Sequence, residues 1–588
     1  MLHPKIKQRD IHQETYQSLS DLGLPEILAR IVAGRLPQGS DNPEKIINPK
    51  LTYLDNPFLL KDMDIAVNRL IQAIEKNEII GIETDHDCDG QTSHAVIYEA
   101  LSQWFNHPKE KIRSYIGHRM EEGYGLSEAL ANRILNDTIK PSLIITADNG
   151  STDEPRIEKL KEEKIDTIVT DHHAIPVEGI PKSAIATLNP TREDCQFPDP
   201  SIAGCMVSWL FMAAVRRKLI DDGKIDAKKS NPASVLDFVA VGTVADCVSM
   251  AKSVNNRAVV KAGLEKIKQS TRPCWQALKE LFPRKINAEY LGFSVGPLLN
   301  SDGRLSDAHS SVSFLLSETV EEAIDWVNEL SKQNQKRKAI QQKMLDQSMK
   351  LAFEQVKAGK SSICLFLDDG HAGVHGIAAS RLKDSFGRPV VFFSPKINED
   401  EIITASARSI DSIHLKEILD EINEKDQTMF VKYGGHKGAA GLTIKKTRFD
   451  DFSQLFEEAI NQKIEKEHLG PELLIDGMLD YEKIDLDTFY LLEQIEPFGR
   501  EFDVPLFKIE GQLISKRFVG QGMQHLQLLI ATNNGKRHKG IWFFASRCDH
   551  VFGFENKMKL ALICRLNEEE FNNKRSLGLM VEYAYEIE

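Results

Sequence analysis

The stretch GIETDHDCDG, Gly81 to Gly90, decides the fold. An apolar run, Ile79 to Ile82, feeds three carboxylates at alternating positions, Asp85, Asp87 and Asp89, and closes on Gly90. A buried strand that releases acids from its C-terminal end predicts an α/β sheet with its site at the strand ends. Neighbouring carboxylates cannot all stay ionised without a countercharge. Oxygen-rich ligands make two divalent cations, Mn2+ or Mg2+, the expected answer.

Working outward, Asp64 to Glu75 has helical apolar spacing before the strand, and Ser93 to Phe105 gives a helix after it. The segment EEGYGLS (Glu121 to Ser127) predicts a turn whose serine caps the next helix, with Arg119 beside it as a candidate phosphate contact. The run Leu143 to Ala147 ends in Asp148-Asn149-Gly150, and Ile165 to Thr170 ends in Asp171-His172-His173. Paired histidines at the mouth of an acid-tipped strand point to ligation more strongly than a single one does. Val235 to Met250 is nearly all apolar, so Asp237 and Asp246 each need a partner, and Asp246 is the candidate last ligand. Four such clusters predict a two-metal site, in which two cations share a bridging carboxylate and neutralise a phosphoryl transition state.

With 588 residues, 41% hydrophobic and 27% charged, the chain has the composition of a globular, multidomain protein. No stretch approaches a membrane span. Eight cysteines without a C-x-x-C pair predict reduced thiols and a cytoplasmic location. A net charge of −13 argues against a generic nucleic-acid coat but not against a nuclease with a local basic groove.

D-x-D-x-D-G, D-N-G, D-H-H and G-T-V-A-D, in that order, resemble the DHH phosphoesterase superfamily. EEGYGLS, the length and the C-terminal half resemble its single-strand-specific DNA exonucleases, over about residues 50 to 545. The resemblance implies metal ligation by Asp87, Asp89, Asp148 (bridging), His172 and Asp246. Asp85 is then a further acid, His173 a phosphate-facing group, and Asp171 a residue that orients the histidines. SIAGCMVSW (Ser201 to Trp209) is expected to serve packing. In the fifth motif the family commonly has Pro-Arg-x-Asn, whereas this chain has Pro297-Leu298-Leu299-Asn300, retaining Asn300 and Arg304 as substrate contacts.

Thr319 to Val356 has a helical period and a capping box at Thr319 and Glu322, long enough to bridge two domains. Lys336-Arg337-Lys338 reads as a solvated face or a DNA-facing stripe. From Ser362 a second α/β pattern follows, with His371-Ala372-Gly373 and glycine-rich turns. It resembles the DHH-associated domain, which implies phosphate contacts from Arg381, Ser406, Arg408, Gly434, Gly435 and His436. Two such domains facing each other across a cleft would set strand width. Short alternating runs from 471 onward predict a small antiparallel barrel, and EPFGREFDVPLF (Glu496 to Phe507) resembles the family's lead-in to an OB fold. Lys536, Arg537 and Lys539 are candidate strand contacts, while Phe543 and Phe544 are expected in the barrel core.

The expected architecture is α/β: a helical N-terminal arm (1–50), a DHH-type parallel-sheet catalytic domain (51–317), a long connecting helix (318–358), a DHH-associated domain (359–465) and an OB-like β-barrel (470–588). The resemblance implies a metal-dependent 5′→3′ exonuclease that hydrolyses single-stranded DNA to 5′ mononucleotides in repair and recombination. A monomer is expected, working with a helicase and a single-strand-binding protein and without a membrane. The alternatives are a DHH-family phosphodiesterase for short oligonucleotides or cyclic dinucleotides, and a nucleic-acid scaffold with a dead site.

Overall fold

Residues 3–37, 43–117, 122–301, 309–396, 399–572 and 574–588 are described by a computed structural model. The chain divides into two compact bodies. One comprises His12–Gln335 with Ile495–Asp503; the other comprises Met1–Ile11, Lys336–Gln494 and Val504–Glu588.

The expected helical arm is present as the helices Gln13–Asp21, Glu26–Ala33 and Pro43–Ile47, preceded by strand β1 (Lys5–Gln8). The first body is built on five strands: β2 (Ile80–Thr84), β3 (Ile112–Ile116), β4 (Leu143–Ala147), β5 (Asp166–Thr170) and β6 (Ala186–Leu188). Every pairing is parallel, in the order β3-β2-β4-β5-β6. Strands β2 and β4 are buried along their whole length. A parallel sheet covered on both faces reads as continuous apolar runs rather than alternation, which is what made these strands visible in the sequence. From β2 the chain goes to β3 on one side and returns to β4 on the other. The crevice at the C-terminal ends of β2 and β4 is therefore the topological switch point, the usual place for a ligand in an open α/β sheet.

The second body begins with strands β7 (Ile363–Phe366), β8 (Val390–Lys396), β9 (Glu399–Arg408), β10 (Lys432–Gly435) and β11 (Ala439–Lys445), in the order β10-β11-β9-β8-β7. Only the β7–β8 pairing is parallel within this sheet. Successive residues serve opposite faces. Val391 and Phe393 pack under helices Leu415–Lys425 and Phe449–Lys463, whereas Val390 and Phe392 pack with Ala378, Leu382 and Met344. Strand β12 (Glu472–Ile475) pairs in parallel with β1.

The 38-residue helix Val320–Lys357 has residues in each body. At about 1.5 Å per residue it is ~57 Å long. Glu322 N–H donates to Thr319 Oγ1 at 3.2 Å, and Glu318 N–H donates back to the Glu322 carboxylate at 3.0 Å. The basic triplet is a solvated face in two of its three residues. Lys336 and Lys338 are exposed, but Arg337 is buried, and burial lowers its pKa.

Five strands, β13 (Phe507–Val519), β14 (His525–Ala531), β15 (Arg537–Trp542), β16 (Lys559–Phe571) and β17 (Lys574–Glu586), close a barrel in the order β13-β14-β15-β17-β16. The pairings are antiparallel except β15–β17, so the barrel is mixed. Trp542 is buried, but Phe543 and Phe544 are 49% and 43% exposed, which corrects their placement in the core. The inside–outside alternation ends with β15 at Trp542, and Phe544 turns the chain at φ 57°.

Candidate metal centre

Asp87 caps the helix Cys88–Glu99, its Oδ1 accepting from Asp89 N–H at 3.0 Å and Gly90 N–H at 3.1 Å. Two residues on, Asp89 is buried and accepts from two amides of another helix, Gly204 N–H at 2.7 Å and Cys205 N–H at 3.0 Å. Those amides open the helix Gly204–Asp221, so its positive end faces the carboxylate. A Cβ on Gly204 would stand 2.5 Å from Asp148 Oδ1, which explains why a side chain is missing there. SIAGCMVSW thus does more than pack. Its Ala-Gly pair before an apolar helix is the sequence signal for that amide cradle.

Asp148 follows β4 in a left-handed conformation, φ 67°, with its N–H bonded to Thr170 O at 2.9 Å. His172 Nε2 lies 3.1 Å from Asp148 Oδ1, 3.6 Å from Asp246 Oδ2 and 3.9 Å from Asp89 Oδ2. Asp246 ends the helix Leu236–Ala245. Its neighbour in the sequence reading, Asp237, has its expected partners in Arg272 Nε at 3.0 Å and Trp275 Nε1 at 2.7 Å. Asp85 Oδ1 is 2.8 Å from His86 Nδ1. Asp171 orients the histidine pair: its Oδ1 accepts from His172 N–H at 2.7 Å, His173 N–H at 3.1 Å and His173 Nδ1 at 2.8 Å.

The potential donors form three overlapping groups: Asp148, His172 and His173; Asp89, His172 and Asp246; and Asp85, Asp87 and Asp148. Within each group the ligand atoms lie within 4.8 Å of one another. Burial pushes the Asp148 carboxyl well above its ordinary pKa, and the charges of Asp89, Asp87, Asp246 and Asp85 push the same way. Asp246 is raised by burial and by Asp89 and Asp87, and Asp87 by burial and by Asp85 and Asp89. Burial lowers His172. Burial opposes the charge on His173 too, but the hydrogen bond to Asp171 and that residue's charge win, lifting it to about 9. Asp148 Oδ1 and His172 Nε2 are buried without a hydrogen-bond partner. A set of crowded acids with an unprotonated imidazole fits divalent cations.

Tyr124 was not singled out in the sequence, although EEGYGLS contains it. Its hydroxyl is 3.0 Å from His173 Nε2, and its ring meets His86 and His173 edge to face. Ser127 caps the next helix as expected, accepting from Leu130 N–H at 3.1 Å. Asn300 Oδ1 accepts from Cys88 N–H at 2.8 Å, so that oxygen supports the acidic turn rather than being held free for substrate. Leu298, at the departure from the family pattern, is buried. Arg119 and Arg304 lie outside the described residues.

In the second body, Ser406 pairs across the sheet with Gly441, and Gly441 with Gly434, leaving a strip almost without side chains. Arg408 Nε donates to Ser380 Oγ at 3.2 Å, and a Cβ on Gly376 would stand 3.2 Å from both Arg408 Nη2 and Ser406 Oγ. Arg381 is on the same helix, Ala372–Phe386, and is exposed. At the β10–β11 turn, Gly435 adopts φ 148° and His436 Nδ1 accepts from Gly438 N–H at 3.2 Å.

Acid-tipped parallel strands ending in a shared aspartate and a histidine pair define the DHH class, and the model of the DHH family N-terminal domain matches residues 79–243. The DHHA1 domain model matches residues 359–462 and the RecJ OB domain model residues 475–583. The chain is 33% identical to the single-stranded-DNA-specific exonuclease RecJ of Haemophilus influenzae, over 92% of this chain and 94% of that one. It is 32% identical to the Escherichia coli protein of the same name, over 96% of each. It belongs to the RecJ family. Among solved structures, RecJ from Thermus thermophilus in complex with Mn2+ superposes with a TM-score of 0.79 at 22% identity, covering 99% of this chain and 80% of that one. An exonuclease RecJ bound to manganese gives 0.56 at 28% identity, covering 68% of this chain and 95% of that one.

Proposed function

We propose that the chain is a metal-dependent exonuclease that hydrolyses single-stranded DNA from the 5′ end to 5′ mononucleotides, in repair and recombination. The observation that carries this reading is the meeting of the donor groups at Asp148 and His172, 3.1 Å apart. Asp87, Asp89, Asp148, His172 and Asp246 would hold two Mn2+ or Mg2+ ions, with Asp85 as a further acid. Bound there, the cations supply Lewis acidity toward a water nucleophile and a phosphoryl oxygen. Asp171 accepts from His173 Nδ1 and favours the imidazolium, whose Nε2–H, beside the Tyr124 hydroxyl, would donate to the phosphate. The Gly204 and Cys205 amides fix the Asp89 carboxylate, so that ligand needs no reorganisation as charge develops.

In the second body, Arg381, Ser406, Arg408, Gly434, Gly435 and His436 would bind phosphates of the strand. The exposed aromatic residues of the barrel suit sequence-tolerant stacking of unpaired bases. Acting as a monomer beside a helicase and a single-strand-binding protein belongs to the same proposal. The RecJ relatives support the choice of single strands over short oligonucleotides or cyclic dinucleotides.

The test is digestion of a long single strand labelled at either end, with Mn2+, Mg2+ or chelator, alongside the matching duplex. Metal-dependent release of mononucleotides from the 5′ end, with the duplex intact, is expected. Cleavage restricted to dinucleotides and short oligomers would move the chain to the small-substrate branch.

A further inference from the structure

The segment Ile495–Asp503 lies in the chain between the helix Leu486–Glu493 and β13, yet it packs as part of the first body. Its attachment is dense. The Arg257 guanidinium, fully buried, donates to Ile495 O at 2.7 Å and Pro497 O at 2.9 Å and sits 4.2 Å from the centre of the buried Phe502 ring. Arg35 Nε donates to Asp503 O at 2.8 Å. The Glu501 carboxylate accepts from Ser249 Oγ at 2.5 Å and Lys252 Nζ at 2.9 Å. Met250 N–H donates to Arg500 O at 3.0 Å, and a Cβ on Gly499 would stand 2.7 Å from Met250 Cγ. The segment is therefore locked onto the turn that follows Asp246.

Arg500 is the member of this segment that stays exposed with a charged head and no carboxylate partner among the described residues. Its Nη1 donates to Cys247 O at 3.3 Å, the carbonyl of the residue after Asp246. Cys247 is in the left-handed region, φ 57°, where a non-glycine residue is costly. A surface arginine free in solvent is ordinarily mobile. This one is fixed at its backbone and at one nitrogen, with the rest of its planar fork of donors left over, and such a fork matches phosphate oxygens.

We propose that Arg500 contacts substrate phosphate at the metal centre, donating to a non-bridging oxygen of the strand where it passes Asp246. This rests on the exonuclease reading above. The residue was missed in the sequence because it lies about 250 positions from Asp246, inside a segment read as a lead-in to the barrel.

The test uses the full chain with Arg500→Gln and Arg500→Lys, loaded with Mn2+. For Arg500→Gln, kcat/KM on a long single strand should fall about tenfold to a hundredfold, the size of a lost charge-assisted hydrogen bond. The melting temperature should stay unchanged. The log–log salt dependence of binding, read by anisotropy of a labelled single strand in chelator, should become shallower by about 0.7, one phosphate contact. Arg500→Lys should recover the salt slope and part of the rate. Wild-type kcat/KM and salt slope in Arg500→Gln would overturn the assignment. So would a rate loss matched by a lower melting temperature at an unchanged salt slope, because that marks a structural role. If the unmodified chain degrades no single strand at all, the exonuclease reading fails by itself, and the anisotropy slopes decide Arg500: equal slopes for the unmodified chain and Arg500→Gln reject it.

Discussion

His172 Nε2 and Asp148 Oδ1 face each other at 3.1 Å, both buried and neither in a hydrogen bond. A buried polar atom without a partner carries a cost of about 1–3 kcal/mol. A cation between such donors removes the cost at both atoms, so metal binding should stabilise the first body as well as activate it. Addition of Mn2+ at about 100 times its dissociation constant should stabilise the fold by ~2.7 kcal/mol per site. Thermal melting with and without chelator measures this, and an unchanged transition would count against the ligand set.

Asp148 takes part in two of the three donor groups. Asp148→Ala should reduce turnover by about a thousandfold or more, several kcal/mol of lost charge stabilisation. Single-strand binding measured in chelator should change little. Turnover close to that of the unmodified chain would remove Asp148 from the site.

His94 gives a pH dependence away from the metal ligands. It is fully buried with Nε2 2.8 Å from Ser114 Oγ, and burial, aided by His309, lowers its pKa from 6.5 to about 3. The unfolded chain takes up this proton near pH 6.5 and the folded chain does not until about pH 3. Stability from this group is thus complete above pH 6.5 and declines as the pH falls. At pH 5 the loss is about 2 kcal/mol, at ~1.4 kcal/mol per pH unit. Denaturant melts of the unmodified chain and His94→Gln at pH 7.5 and 5 should differ in slope with pH, and parallel profiles would refute the assignment.

Phe543 and Phe544 meet His525 edge to face, and Arg547 lies over the Phe544 ring at 4.8 Å. Being exposed, each should be replaceable by alanine at a stability cost within about 0.5 kcal/mol. Loss of a stacking surface should nonetheless weaken single-strand binding by about 1–3 kcal/mol. A large drop in melting temperature with unchanged affinity would return these rings to the core.

What the sequence made legible was what local pattern controls. Apolar runs ending in Asp85, Asp148 and Asp171 announce strands and their tips, and the Thr319–Glu322 box announces a helix start. What it concealed depends on chain meeting distant chain. The Gly204 amide reaches Asp89 across 115 positions, β1 finds β12 across more than 460, and Arg337 is buried within a run of three basic residues. Phe543 and Phe544 were misplaced for another reason: alternation predicts the inside of a strand only as far as the strand lasts, and β15 stops at Trp542.

The lock between Arg257 and residues 495–502 bears on how the protein is made. Ribosomes deliver the chain from the N-terminus, so residues 12–335 emerge well before their last structural piece. Until residues 495 and 497 appear, the Arg257 guanidinium lacks two of its carbonyl acceptors and the ring it stacks on. A nascent chain halted after the helix Phe449–Lys463 would carry every proposed metal ligand and still hold an under-solvated cation in its interior. Completion of the nuclease body is thereby deferred until most of the second body has been synthesised, a vectorial order written into the chain by a nine-residue insertion.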